Sequence, residues 1–267
     1  MPGQAPDVER LRYEATHWVR EDDPARALAA YLEQCQRPFN RTKIEMMAGM
    51  LPADLGGQTV LDYGCGAGSF TVLCARRGAR VVAVDAEEAV LRTAAHYARL
   101  SGVAERCRFI DSQAFARGLP TETFDVIVAK DVIEHVPDDE GLLRDFARRQ
   151  RAGGRLLIST QSALSLTFLV ESLFFRVWRG EAGWCGWDPT HLRFYTPRSL
   201  GRKLRAAGYR PRRRHGFYIV PYRILTYALL FRRSIELPAL RYVDRWLGGH
   251  FPFNLFGWDV AVLAERA

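Results

Sequence analysis

Between residues 59 and 159 the chain alternates short apolar runs with amphipathic stretches of helical period. Thr59-Val60-Leu61 reads as a strand, followed by a glycine turn and a helix from about Ser69 to Arg77. Arg80 to Val84 is a second strand ending at Asp85, and a helix follows from about Glu87 to Ser101. Cys107 to Ile110 is a third strand, ending at Asp111, and Phe124 to Ala129 is a fourth. A helix over Gly141 to Arg149 is broken by Ala152-Gly153-Gly154, and Arg155 to Ser159 forms a fifth strand. Strands alternating with helices at this spacing need right-handed crossovers. The pattern therefore predicts an α/β fold, doubly wound around a mostly parallel sheet.

The flanks read differently. Residues 1–50 are predicted to be helical, with Asp7 as one cap and Pro24 in the first turn of a helix capped by Asp22 or Asp23. Asn40 is read as the cap of a third helix, carrying Ile44, Met46, Met47 and Met50 on its apolar side. After Thr160 an unusually apolar helix is expected over Ser165 to Arg179, then a Gly/Trp-rich loop and a helix from Ser199 to Ala207 ended by Gly208. Strands near Phe217 to Val220 and Asp259 to Leu263 complete the sheet, with an aromatic and basic insert between them. The whole reads as one domain: N-terminal helices over 1–50, a cofactor-binding core over 51–160, and acceptor-binding elements with the last strands over 161–267.

Composition narrows the class. With 267 residues, 48% of them hydrophobic, the chain can bury a sizeable core. Its five cysteines are scattered, without the paired spacing of a zinc site or a disulfide framework. The amino terminus lacks the basic-then-apolar layout of a signal peptide, so a reducing cytoplasm is the expected compartment. The net charge is +8, and fourteen basic residues lie between Arg193 and Arg245 against only Glu236 and Asp244. Such a field suits an anionic partner, though a solvated basic face is the plainer reading.

The first strand runs into Asp62-Tyr63-Gly64-Cys65-Gly66-Ala67-Gly68, beyond the carboxyl end of the strand, where an open parallel sheet binds ligands. A dinucleotide site wants G-x-G-x-x-G, but the third position of that pattern is Ser69 here. The glycines run G-x-G-x-G after an acid. A pyrophosphate at this turn would be repelled by Asp62, whereas the cationic methionine end of S-adenosylmethionine would tolerate it. Asp85 suits the two ribose hydroxyls, and Asp111-Ser112 can address an adenine edge.

At VLDYGCGAGSF (60–70), VVAVD (81–85), ID (110–111), FDVIVAKDVIEHVPD (124–138) and RAGGRLLIST (151–160) the chain resembles the class I S-adenosylmethionine-dependent methyltransferases. The resemblance covers roughly residues 40–160 and implies their seven-stranded, Rossmann-like sheet. It implies that Gly64, Gly66 and Gly68 lie against the methionine portion of the cofactor, that Asp85 grips its ribose, and that Lys130 borders the sulfonium. The expected cofactor set is Arg41, Asp62, Gly64, Gly66, Gly68, Asp85, Ala86, Asp111, Ser112 and Lys130.

Within the class, EHVPD (134–138), the turn at Gly153-Gly154 and THLRFYTP (190–197) most resemble ubiquinone-biosynthesis-type O-methyltransferases and related bacterial small-molecule methyltransferases. Some members hold a divalent metal through an acid-x-x-Glu-His pattern. It maps onto Asp131, Glu134 and His135, with Mg²⁺ as the candidate ion, and the first position is Asp where the pattern usually has Glu. Positions i, i+3 and i+4 of a helix would place these three side chains on one face.

For a phenol or alcohol acceptor a general base helps, and His135 and His191 are the candidates. The predicted reaction is O-methylation of a hydrophobic phenolic or lipid-like small molecule. N- or C-methylation of a secondary metabolite and a non-catalytic cofactor-binding subunit are the alternatives. The apolar 165–179 helix and the aromatic 217–258 segment, with Arg176, Arg179, Arg223, Arg232 and Arg233, suit peripheral contact with the inner face of a membrane. A pocket cap or a dimer contact would use the same surfaces. Nucleic acid is not the expected partner: Lys130-Asp131-Val132-Ile133 follows the fourth strand where a base-methylating enzyme would carry an Asn-Pro-Pro-Tyr-like motif.

Overall fold

The computed structural model describes residues 17–118, 123–183, 190–220, 223–225 and 234–267. The N-terminal helices are α1 (Pro24–Gln36) and α2 (Pro38–Ala48). The core then runs β1 (Thr59–Tyr63), α3 (Ser69–Arg76), β2 (Arg80–Asp85), α4 (Glu88–Leu100), β3 (Cys107–Asp111), α5 (Ser112–Gly118), β4 (Phe124–Lys130), α6 (Asp139–Arg148) and β5 (Gln150–Gln161). Beyond it lie α7 (Leu166–Leu173), a π-helical turn (Phe174–Trp178), α8 (Pro197–Ala206) and β6 (Tyr209–Phe217). The chain closes with a ribbon of β7 (Arg223–Leu225) and β8 (Ser234–Glu236), α9 (Leu240–Gly248) and β9 (Asp259–Arg266).

Seven strands form one sheet in the order β3-β2-β1-β4-β5-β9-β6. The first five pair in parallel, and β9 enters antiparallel between β5 and β6. This is the expected seven-stranded methyltransferase sheet. The chain leaves β1 toward β2 on one side and later returns to place β4 on the other. The order thus reverses between β1 and β4, which opens a crevice beyond their carboxyl ends.

The apolar runs look continuous because helices cover both faces of the sheet. Leu61, Val82, Ile127, Leu156 and Val262 point to one face and meet Leu143, Phe146, Leu200 and Leu204 of α6 and α8. Val60, Val81, Val126, Leu157 and Ala261 point to the other and meet Met47, Leu55, Phe70 and Cys74. Successive residues serve opposite faces, as the pleat requires.

Several expectations shift. Asp23 caps α1, its Oδ1 accepting from the amides of Ala25 and Arg26 at 3.0 and 2.8 Å. Asn40 does not cap α2: the helix starts at Pro38, whose ring suits a first turn, and Asn40 Nδ2 instead donates to Gln34 O at 3.0 Å. The Gly153-Gly154 pair does not separate helix from strand. β5 begins earlier, at Gln150, and absorbs the irregularity as a register shift opposite Phe124 and Val126. The expected 217–220 strand is instead Tyr209–Phe217, so Arg210, Arg212, Arg213 and Arg214 belong to an edge strand. Asp7 lies outside the described residues.

His215 on β6 is 5% exposed, against Gly248 of α9. Burial pushes its imidazole down to about 4, helped by the charges of Arg213, Arg245 and His250. The fold therefore holds it neutral, while the unfolded chain protonates it near its ordinary value of 6.5. Stability present above that value is lost as pH falls toward 4, by about 3 kcal/mol for a shift of this size. Urea midpoints at neutral pH and near pH 4.5 should show that loss in the native chain and a smaller one in His215→Gln. An equal loss in both would assign the acid sensitivity to other groups.

Candidate active site

The glycine turn is shaped by the strands beside it. Gly64 N and Cys65 N both donate to Val84 O, at 2.8 and 2.9 Å, and Gly66 N donates to Asp85 Oδ2 at 2.9 Å. Gly64, Gly66 and Gly68 have φ of 71°, 52° and 88°, the left-handed region that favours glycine. A Cβ on Gly64 would also collide with Val132 Cγ2 in the turn after β4. One on Gly66 would lie 3.9 Å from the Trp18 ring, which stacks edge-on against Tyr31 of α1. The N-terminal segment therefore lies over the turn.

Around it stand most of the expected cofactor residues. Asp62 is 2% exposed and accepts from Thr71 Oγ1 at 2.6 Å; burial pushes its carboxyl up to about 6. Asp85 closes β2, and its Oδ1 also accepts from Glu87 N at 3.3 Å. Ala86 is exposed just beyond it. Asp111 closes β3 and caps α5, its Oδ1 accepting from Gln113 N and Ala114 N at 2.9 and 3.1 Å, with Ser112 the first residue of that helix. Lys130 ends β4 and reaches Asp131 Oδ2 at 2.9 Å.

Arg41 does not belong to this group. Its side chain is about half exposed on α2 and pairs with Glu45 at 2.8 Å, one helical turn on. The basic residue that enters the site from α2 is Lys43, 3% exposed. Its Nζ lies 2.6 and 2.7 Å from the two oxygens of Asp131 and 2.5 Å from Asp259 Oδ2. Ser159 Oγ of β5 donates to Asp131 Oδ1 at 2.9 Å. Burial alone would raise the Asp131 carboxyl, but the Lys130 and Lys43 ammoniums outweigh it and hold the group well below the usual carboxylate range. The available signal was a lysine on the apolar face of a helix, between Phe39 and Met47 at i−4 and i+4.

The shared helical face expected for Asp131, Glu134 and His135 does not exist. Asp131 sits at φ 56°, and residues 131–136 form a turn closed by His135 N donating to Val132 O at 3.0 Å. The segment 190–197 clamps that turn. Leu192 N donates to Glu134 O at 2.9 Å, and Arg193 donates to Val136 O and Pro137 O at 2.7 Å each. Tyr195, 2% exposed, donates to Asp139 at 2.5 Å. This clamp brings His191 beside His135, with ring centroids 4.7 Å apart. One donor atom from each of Glu134, His135 and His191 lies within 4.8 Å of the others. Thr190 Oγ1 is hydrogen-bonded to His135 Nδ1 at 2.8 Å.

Glu134 is 1% exposed, and Thr160 is the side chain that hydrogen-bonds its carboxyl. Burial, reinforced by the Asp131 charge, pushes it up to about 8. The expected Mg²⁺ set does not fit this arrangement. Lysines and a serine hold the Asp131 oxygens, and the donors that do converge are one carboxyl and two imidazoles. Mg²⁺ demands oxygen ligands in near-ideal octahedral geometry.

A mostly parallel sheet with one antiparallel strand, a glycine turn after β1 and an acid closing β2 define a class I S-adenosylmethionine-dependent methyltransferase. The chain belongs to the methyltransferase domain family, whose model matches residues 24–213. It is 32% identical over 212 residues to a ubiquinone biosynthesis O-methyltransferase of Methylocella silvestris, covering 75% of this chain and 80% of that one. A protein of the same name from Pseudomonas paraeruginosa is 40% identical over 108 residues, 40% of this chain and 46% of its own length. In fold it is similar to magnesium protoporphyrin IX methyltransferase of Synechocystis, solved with bound SAH. The TM-score is 0.56 at 16% identity, over 86% of each chain.

Replacing Asp85 by Ala should weaken S-adenosylmethionine binding by at least about tenfold, since one carboxylate serves both the Gly66 amide and the expected ribose contact. Calorimetric titration of the folded variant reads this directly. Unchanged affinity would remove Asp85 from the cofactor site.

Proposed function

We propose that the protein transfers the methyl group of S-adenosylmethionine to a hydroxyl oxygen of a hydrophobic, phenolic or lipid-like acceptor. The observation that carries this reading is a polar cluster set in an aromatic wall. Glu134, His135 and His191 stand just past β4, while Phe194 lies 5.7 Å from the His191 ring and 4.7 Å from Phe168 of α7. Trp258 continues the wall at 6.4 Å from Phe168. An apolar ring would rest on the aromatics with its hydroxyl turned to the cluster. In the reaction the acceptor oxygen bonds to the methyl carbon as the sulfur–methyl bond breaks, leaving S-adenosylhomocysteine, and the hydroxyl proton departs at the cluster. The names of the Methylocella and Pseudomonas relatives also favour oxygen.

The acceptor's hydrophobicity agrees with the apolar side chains exposed on α7 and near α9. Val170, Leu173, Val177 and Trp178 are exposed along α7 and its π turn, and Trp246 and Phe251 are exposed at the end of α9. Arg176, Arg179 and Arg245 stand exposed among them. Apolar side chains with arginines at their edge suit an anionic lipid surface that supplies the acceptor. No helix among the described residues is long and apolar enough to cross a membrane.

Two measurements test this. Incubation with methyl-labelled S-adenosylmethionine and a panel of prenylated phenols, amines and activated carbon acids should yield an O-methyl ether from a phenol. Product only on nitrogen or carbon would overturn the oxygen assignment, and tight cofactor binding with no product on any acceptor would point to a non-catalytic subunit. In flotation with phosphatidylglycerol-containing vesicles the protein should rise with the lipid, and less so after Trp178→Glu with Trp246→Glu. Failure of the native chain to float would sink the lipid contact.

A further inference from the structure

We propose that Trp18 and Tyr31 form an aromatic wall for the sulfonium of S-adenosylmethionine, favouring the charged cofactor over its neutral product, S-adenosylhomocysteine. The inference rests on the family's cofactor and not on the reading of the acceptor. Trp18 opens a short 3-10 turn, Trp18–Arg20, ahead of α1. Its ring lies 3.9 Å from where a Cβ on Gly66 would stand. It meets the Tyr31 ring at 5.0 Å and 65°, a corner rather than a stack. The Tyr31 hydroxyl engages the side chains of Ser69, the first residue of α3, and of Cys35, one turn along α1. Cys35 in turn feels the charge of Lys130. These contacts lay one face of α1 over the crevice, from the glycine turn to the end of β4.

The two ligands differ by one methyl group and the positive charge it leaves on sulfur. The family pattern puts Lys130 beside that sulfur, and an ammonium there repels a sulfonium. Asp131 offers no remedy, because Lys43 and Lys130 already share it. Compensation has to come from the other walls. Asp62, 2% exposed, is the nearby carboxyl whose charge also reaches Tyr31. The remaining groups are the two rings. An aromatic face attracts a cation within about 6 Å of its centre, tryptophan most strongly, and more so where water is excluded. Burial pushes the Tyr31 phenol well above its ordinary value, so this ring stays neutral at physiological pH. The attraction vanishes once the methyl group has left, which eases release of the product.

The test is calorimetric titration of the full chain with each ligand, read as the ratio of the two affinities. Trp18→Ala should weaken S-adenosylmethionine by about 5- to 30-fold and S-adenosylhomocysteine by less than about twofold. Trp18→Phe keeps a ring and should stay within about threefold of the native ratio. Tyr31→Leu should lower the ratio in the same sense, and Tyr31→Phe should leave it unchanged. Circular dichroism confirms that each variant is folded, and the two phenylalanine variants keep the comparison open if a truncation unfolds. Equal weakening of both ligands would assign the rings to the shared adenosine or amino-acid part and overturn the proposal. So would an unchanged ratio in folded Trp18→Ala and Tyr31→Leu. Failure of the native chain to bind either ligand would remove the cofactor site itself. Native binding with an unmoved ratio removes only the aromatic contact and leaves the methyltransferase.

Discussion

Lys43, Lys130, Asp131 and Asp259 bring four charges together where the sheet opens toward its ligands. They come from α2, the end of β4, the turn after it and the start of β9. Two ammoniums against two carboxylates make the group electrically neutral, so each charge is compensated where water is scarce. Removing one member of such a set leaves a buried unpaired charge, at a cost of about 3–5 kcal/mol. The network therefore ties the N-terminal helices to the sheet and sets which carboxylate remains available. Asp131 is committed; Glu134, three residues on, is not.

That division of labour organises the site. On one side of the crevice the glycine turn, Asp62 and Asp85 form a cradle whose amides are fixed by β2. On the other the clamp between residues 131–139 and 190–197 gathers a carboxyl, two imidazoles and an aromatic wall. Asp131, at φ 56°, stands at the junction. Such a backbone is uncommon for a residue with a side chain and persists when its surroundings over-determine it. Here the surroundings are two lysines, Ser159 Oγ and the Ser159 carbonyl that accepts from Asp131 N at 3.1 Å.

The segment from Arg210 to Arg214 gives the basic run a structural place. The run of arginines forms an edge strand in which Arg210, Arg212 and Arg213 are exposed, with a register shift between Pro211 and Arg213. Arg212 pairs with Glu265 across it at 3.0 Å. Edge strands carry charges for a reason of their own, since a charged edge discourages pairing with another chain. Apolar residues are exposed along α7 and at the end of α9 as well.

The sheet, the glycine turn and the place of Asp85 at the end of β2 were legible in the sequence because each depends on neighbours along the chain. Alternating apolar runs encode strands with two buried faces, glycines mark the left-handed turn, and an acid ending a strand needs only that strand to be placed. What the tertiary structure alone decided is which distant residues meet. Lys43 reaches Asp131 across 88 positions and Asp259 across 216, and Thr190 reaches His135 across 55. Motif spacing put Asp131, Glu134 and His135 on one face and did not single out Lys43. The clamp on the turn after β4 and the packing of α2 instead give Asp131 to Lys43 and Lys130 and bring His191 beside His135. Such contacts follow from how crossovers stack on the sheet, and no periodicity within one segment records them.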